Sequence, residues 1–234
     1  MKILTWNCNG AFRRKYEAIN KLGADIQVIQ ECEDPLRTTD EKYKAWAKNY
    51  LWTGENKNRG LGVFANEGIL ISDLKWEADG LKYFLSCRIN KNFDLVAVWT
   101  TRNNSITYRY IGQLWKYLQI NKAKMTGCII IGDFNSNKIW DERKRTCNHS
   151  HVVRELADIG ISSLYHDYYN SAQGEEMHPT FYLQRKIDKP YHIDYIFAST
   201  EIVDKITNFE IGLRDEWLQI SDHLPVLCDI IKKI

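Results

Sequence analysis

The sequence has no CxxC pair, no long apolar run, no excess of one charge and no repeat or low-complexity tract, and each absence narrows what the chain can be. Its six cysteines, Cys8, Cys32, Cys87, Cys128, Cys147 and Cys228, stand singly, four of them in or beside strand-like runs. They read as small buried hydrophobes in a reducing compartment rather than as a disulfide framework or a metal cage. No segment approaches the roughly 18 consecutive apolar residues of a membrane span. Met1 to Trp6 gives way at once to polar Asn7, far short of a signal peptide's apolar region. The expected location is the cytoplasm, with no membrane partner. Thirty-two basic residues against thirty acidic ones leave a formal charge of +2. That balance argues against strong nonspecific attraction to nucleic acid but leaves room for a local basic groove. No linker interrupts the 234 residues, and short strand and helix patterns alternate throughout, so one α/β domain, 1–234, is expected. A chain of this size buries roughly 70–75% of its extended surface and needs no metal to fold. Any bound metal then reads as functional.

What the chain does have is a set of polar strand ends. The spacing predicts strands over 2–8 and 26–29, joined by a helix carrying Phe12, Tyr16, Ile19 and Leu22 and closed by Gly23. A second helix is predicted on Tyr43, Trp46, Ala47 and Tyr50, followed by strands over 58–65, 74–76, 83–89 and 93–99, with Asp79-Gly80 as a hairpin signal. A third helix runs from Ile106 to Leu118, and 147–156 gives a fourth. Strands over 180–183, 192–197, 206–211 and 224–230 complete the pattern.

Ile129-Ile130-Ile131 has the composition of a strand buried on both faces, and Gly132 lets the chain turn where that strand ends. Asp133 and Asn135 then sit on a rigid tip open to solvent. An Asx turn explains that pair equally well. Three further tips carry Asn7 and Asn9, Glu31, and Ser221-Asp222-His223. Hard cations such as Mg²⁺ bind through one or two carboxylates with water and phosphate, which suits Glu31 and Asp222. Phosphoryl chemistry also needs a base, an oriented water and donors for developing charge, which Asp133, Asn135, Asn7 and His223 can supply. In His192-Ile193-Asp194-Tyr195-Ile196-Phe197 a lone acid sits within an apolar strand and needs a partner, for which a histidine is the natural choice. Each piece alone reads equally as a turn or a structural hydrogen bond; it is the combination that points to chemistry.

Thr5-Trp6-Asn7-Cys8-Asn9-Gly10, Gln30-Glu31, Gly60-Leu61-Gly62-Val63, Gly132-Asp133-Phe134-Asn135, His192-Ile193-Asp194-Tyr195-Ile196 and Ser221-Asp222-His223-Leu224-Pro225 resemble, in order, the motifs of the endonuclease/exonuclease/phosphatase superfamily, which includes exonuclease III-like and DNase I-like enzymes. The resemblance implies a four-layer αββα sandwich, two mixed β-sheets face to face with helices outside and the site at one edge. It implies a metal-dependent phosphoric ester hydrolase in which Glu31 binds Mg²⁺ or Mn²⁺ with Asn9 and Asp222 close by. Asn7 and Asn135 would hold the phosphate and the attacking water, Asp133 would be the base, and His223, oriented by Asp194, would stabilise the phosphoryl oxygens.

The chain departs from that pattern at Trp99, where relatives carry tyrosine or histidine. An indole donates one hydrogen bond but transfers no proton, so Trp99 reads as a stacking surface or a core residue. Arg102 beyond it could clamp a phosphate. His192 stands where an arginine is frequent and reads as facing the site or as an outward or hydrogen-bonded structural histidine. His178-Pro179-Thr180-Phe181 supports the alignment only. The loop 138–145, with Trp140, and Arg13-Arg14-Lys15 suit a nucleic-acid backbone or a plain solvated rim. The leading expectation is a nuclease acting on DNA, as a monomer. The alternative is a phosphatase or phosphodiesterase of a small phosphorylated molecule such as a nucleotide or inositol phosphate. A non-catalytic binding domain would be expected to lose some of these residues.

Overall fold

Period-two alternation of side chains builds the molecule as four layers. The computed structural model describes residues 1–102, 107–201 and 203–232. Its strands are β1 (Lys2–Asn7), β2 (Ile26–Cys32), β3 (Tyr50–Asn56), β4 (Arg59–Ala65), β5 (Ile71–Asp73), β6 (Phe84–Ile89), β7 (Phe93–Trp99), β8 (Cys128–Asp133), β9 (Ile161–Ser163), β10 (Phe181–Tyr182), β11 (Pro190–Tyr191), β12 (Asp194–Ser199), β13 (Val203–Ile211) and β14 (Val226–Lys232). The helices are α1 (Tyr16–Asn20), α2 (Glu41–Trp46), α3 (Ile111–Asn121), α4 (His149–Ala157), α5 (Leu164–Tyr169) and α6 (Arg214–Trp217).

Two six-stranded sheets form, in the orders β13-β14-β1-β2-β4-β3 and β5-β6-β7-β8-β12-β9. Each is mixed: β1 runs parallel to β2 and β7 parallel to β8, while the other neighbours are antiparallel. In β1, Ile3 enters the core between the sheets, with Val28, Val63 and Val226 from its own sheet and Leu95, Ala97, Ile129, Ile131 and Ile196 from the other. Leu4 and Trp6 point the other way, onto Phe12, Ile19, Tyr43 and Trp217. On the second sheet Val96, Val98, Ile130 and Phe197 point outward onto Leu114, Tyr117 and Leu118 of α3 and Val152 and Leu156 of α4. A strand that is apolar on both faces therefore has a cover on each, as the isoleucine run implied.

Local differences from the sequence pattern have identifiable causes. Tyr50 opens the edge strand β3 rather than extending a helix, because α2 ends at Trp46 and the next residues pair with β4. The first helix divides into a 3-10 turn, Phe12–Arg14, and the short α1. Strand β5 lies at Ile71–Asp73, where it pairs with β6, and not at 74–76. The Asp79-Gly80 turn belongs to the long connection between that pair. Gly132 lies inside β8 instead of ending it. The predicted helix start at Ile106 is outside the described residues. All six cysteines are buried and free, and burial pushes the thiols of Cys87 and Cys228 up to about 12. Among the described residues no helix is long and apolar enough to cross a membrane.

Candidate active site

Asn7 ends β1 and Asp133 ends β8, and alternation from Ile3 and from Ile129 and Ile131 turns both inward, each toward the opposite sheet. Asn7 Nδ2 donates to Asp133 Oδ2 at 3.0 Å across the gap. The Asn7 carboxamide is held in that pose because its Oδ1 accepts the Asn9 amide at 3.0 Å. Asn135 adds two donors to Asp133, its backbone amide to Oδ1 at 2.8 Å and Nδ2 to Oδ2 at 2.9 Å. The Asx turn and the charged-group reading are thus both present in one geometry. A second Asn135 Nδ2 bond, to Thr100 O at 2.8 Å, fixes the loop.

Gly132 explains why the strand can carry Asp133 here. Its φ is +148°, and a Cβ would lie 1.8 Å from Val98 O, so a side chain would push β8 off β7 immediately before the carboxylate. Asp133 is completely buried, and burial together with the Asp194 carboxylate raises its pKa to about 7, against the pull of His223 and Asn7. A carboxyl so placed keeps its proton to higher pH than an exposed one.

Asp194 starts β12 directly opposite Asp133 in the antiparallel register. His223 Nδ1 lies 2.9 and 3.2 Å from the two Asp194 oxygens. Burial works against the imidazolium, but Asp194, Asp133 and Asp222 outweigh it and raise the His223 pKa to about 9. The loop carrying His223 is pinned to the end of β1: Ser221 Oγ donates to Asn7 O at 2.8 Å and Trp6 Nε1 to His223 O at 3.0 Å. The short strap β10 holds it from the other side. Tyr182 N donates to Asp222 O at 2.8 Å, Leu224 N donates to Thr180 O at 2.7 Å, and the Phe181 ring sits 4.5 Å from the His223 ring. Thr180 Oγ1 also accepts the amides of Ile193 and Asp194. Phe181 and Thr180 are thus part of the site's support, beyond the alignment support they offer in the sequence.

Glu31 reaches the site through a β-bulge. Its φ is 63°, and the β2–β4 register skips it, pairing Gln30 with Leu61 and Cys32 with Gly60. Ile29 and Cys32 both face the outer core, so the extra residue turns Glu31 away from that core, where strict alternation would have sent it. Its Oε1 lies 3.4 Å from Asn7 Nδ2 and forms an ion pair with Arg59. Asp222, half-buried between Ser221 and His223, contributes its negative charge beside His223. Asn9 is exposed at φ 52° on the same rim.

The structure does not bring every candidate together. His192 faces away: it is buried between Tyr165, at 4.5 Å, and Tyr195, at 4.9 Å, and its Nδ1 donates to His178 O at 2.7 Å. The apolar surroundings of the β12 start captured this ring. Trp99 is 5% exposed and offers no free face to a base, because the Arg59 guanidinium lies 5.3 Å from its ring centroid and Tyr83 packs at 4.5 Å. Arg102 is exposed and lines a cavity with Trp99 and Arg59. Of the basic rim, Arg13 pairs with Glu33, and Lys15 Nζ donates to Cys8 O at 2.6 Å. Trp140 packs on Tyr191 at 5.0 Å beside a 340 Å³ cavity that reaches Asn135. Arg59 was not legible as a site residue from the sequence; only the β2–β4 register places it on Glu31.

Glu31 is a largely buried carboxylate, a hard oxygen donor of the kind that holds a divalent cation, and its charge is balanced in the structure by Arg59. The atoms of Asp133, Asp194 and His223 also lie within 4.8 Å of one another. There the imidazole Nδ1 is committed to Asp194, which makes this trio an internally hydrogen-bonded group.

Residues 4–223 match the family model described as Endonuclease/Exonuclease/phosphatase family. The fold is similar to a 3′ phosphatase, NExo, from Neisseria bound to product DNA hairpin, with a TM-score of 0.71 at 17% identity, covering 99% of both chains. It is similar also to an AP endonuclease from Archaeoglobus fulgidus, with a TM-score of 0.72 at 17% identity, covering 98% of this chain and 99% of that one. The human Nocturnin catalytic domain with bound sulfate aligns at a TM-score of 0.63 and 17% identity, over 100% of this chain and 93% of its own. No curated protein matches the chain in sequence.

Proposed function

The chain belongs to the Endonuclease/Exonuclease/phosphatase family, and from that premise we propose that it is a divalent-metal-dependent phosphodiesterase, a nuclease acting on DNA, that hydrolyses its substrate by in-line attack of water. One observation carries the reading. A fully buried carboxylate, Asp133, lies within 4.8 Å of a histidine paired to Asp194, at the ends of strands from two facing sheets.

Asp133 accepts a proton from the attacking water, as a base whose pKa is matched to neutral pH. Asn7 and Asn135, already aimed at Asp133, orient that water and donate to phosphoryl oxygens. His223, held by Asp194 and backed by Phe181, presents positive charge to the same oxygens. Glu31, Asp222 and Asn9 would hold Mg²⁺ or Mn²⁺, which would supply Lewis acidity to the phosphoryl group. The water's oxygen forms the new bond to phosphorus while the ester bond opposite it breaks, and no covalent enzyme intermediate is needed. Choice of DNA is supported by the fold's likeness to the neisserial 3′ phosphatase with its DNA hairpin and to the archaeal AP endonuclease.

The second reading keeps the chemistry on a small phosphorylated molecule. It is favoured by the formal charge of only +2 and by a 550 Å³ cavity beside Trp99. The test is a panel of plasmid DNA, abasic duplex, single-stranded DNA, RNA, nucleotides and inositol phosphates, with Mg²⁺ or with EDTA, using wild type and Asp133→Asn. Metal-dependent nicking that disappears in the variant supports the nuclease. Turnover of small substrates alone selects the second reading, and no turnover of any substrate by a folded protein refutes both.

A further inference from the structure

Arg59 is shared between two environments. Its guanidinium pairs with Glu31 while lying on the face of Trp99, 5.3 Å from the ring centroid. Trp99 is the residue of β7 in register with Asp133, and Tyr83 supports its ring at 4.5 Å. Arg59 thus stands at the boundary between the site and a cavity of about 550 Å³. Arg59, Lys82 and Arg102 line that cavity, and Glu55 is its one carboxylate among the described residues. Glu55 is engaged by Lys82 and by the Tyr83 hydroxyl, at 3.1 Å. The walls therefore carry more positive than negative charge and sit next to the position proposed for the reacting phosphate.

We propose that this cavity is a second anion subsite, taking a phosphate of the substrate other than the one hydrolysed, and that Arg59 is its exchange cation. In the free protein Arg59 neutralises Glu31. A divalent cation arriving at Glu31 repels the guanidinium, which has half its side chain in solvent and is free to turn along the Trp99 face. The guanidinium that held one carboxylate oxygen then offers its planar fork to a phosphate. Trp99 is in this view a positioning residue that keeps Arg59 at the boundary in both states. Lys82 and Arg102 complete the subsite as point and fork donors. The second phosphate comes either from the neighbouring link of a nucleic-acid strand or from a small molecule with two phosphates; the chemistry recognised is the same. The inference rests on the functional reading above for where the reacting phosphate lies.

The test separates the two. Pyrophosphate is titrated calorimetrically into metal-free protein in EDTA, with wild type, Arg59→Ala, Arg59→Lys and Glu31→Gln. Arg59→Ala should weaken pyrophosphate binding about tenfold, because it removes the cation that pyrophosphate draws away from Glu31 and leaves the Glu31 charge unpaired beside the cavity. Arg59→Lys should recover part of it. Glu31→Gln should tighten binding severalfold by freeing the guanidinium. Mn²⁺ binding, followed by the paramagnetic resonance signal of the free ion, should tighten severalfold in Arg59→Ala. Pyrophosphate affinities within twofold of wild type in both Arg59→Ala and Glu31→Gln would overturn the subsite, as would weaker binding in Glu31→Gln. A higher KM of Arg59→Ala for an oligonucleotide, or for a small bisphosphate, then identifies the source. Since the titrations need no turnover, a protein that hydrolyses nothing refutes the functional reading and still leaves these affinities to decide the subsite.

Discussion

Acid should destabilise this protein through His192, by an amount that can be worked out. The ring is 4% exposed and packed against Tyr165 and Tyr195. Its Nδ1 donates to His178 O and its Nε2 has no hydrogen-bond partner. Burial lowers its pKa from 6.5 to about 4. The folded state therefore refuses a proton that the unfolded chain takes up, so stability is fully present above pH 6.5 and falls as the pH drops toward 4. From those two values the loss is about 2 kcal/mol at pH 5 and about 3 kcal/mol below pH 4. In a chain of this size 2 kcal/mol corresponds to a Tm change of about 4–8 °C. The assay is urea unfolding at pH 7, 6 and 5, comparing wild type with His192→Phe, which keeps the ring contacts and cannot titrate. At pH 7 the variant should be about 1 kcal/mol less stable, for the lost hydrogen bond. By pH 5 the difference should have moved in the variant's favour by about 2 kcal/mol. The window stops at pH 5 because Glu176, with its pKa lowered to about 2 by His166 and Asn137 against its burial, begins to lose stability below 4.5. A difference that is constant from pH 7 to pH 5 would refute the reasoning.

Three further outcomes are expected. Gly132→Ala, whose Cβ would meet Val98 O at 1.8 Å, should cost at least about 3 kcal/mol in urea unfolding, whereas Gly23→Ala, at φ +66° with open space around it, should cost about 1 kcal/mol; equal costs would contradict the close-approach account. Asp133→Asn should slow hydrolysis by about 10²–10⁴-fold while leaving Mn²⁺ affinity within severalfold of wild type, and an active variant would remove Asp133 from the role of base. Glu31→Gln should weaken Mn²⁺ binding at least tenfold with the apo Tm near wild type; a large apo destabilisation would speak against its role as a metal ligand.

The polar strand ends were legible because each strand's own apolar pattern ends at them. Ile129 to Ile131 marks β8, and the same two-residue period that buries Ile131 delivers Asp133 to the inner face. What the sequence could not show depends on pairing between distant strands. The bulge at Glu31 appears only in the register of β2 against β4, and the same register brings Arg59 to it. Tyr50 continued a helical spacing through Tyr43, Trp46 and Ala47, and the competing strand is visible only once β4 lies beside it. His192 carries the residue type of a site but sits on an aromatic face formed by Tyr165 and Tyr195, which local pattern does not disclose. Trp99 was open between stacking surface and core; the structure makes it a floor already occupied by Arg59.

The place of β14 also has a consequence for when the protein becomes active during its own synthesis. Strand β14 inserts between β13 and β1, pairing Leu227 with Leu4, and the loop just before it brings His223 onto Asp194. A nascent chain made only as far as Ile211 already contains Asn7, Glu31, Asp133 and Asp194 but has neither the histidine nor the strand that anchors it. The histidine therefore joins the other four residues only when the segment after Ile211 has folded back onto β1.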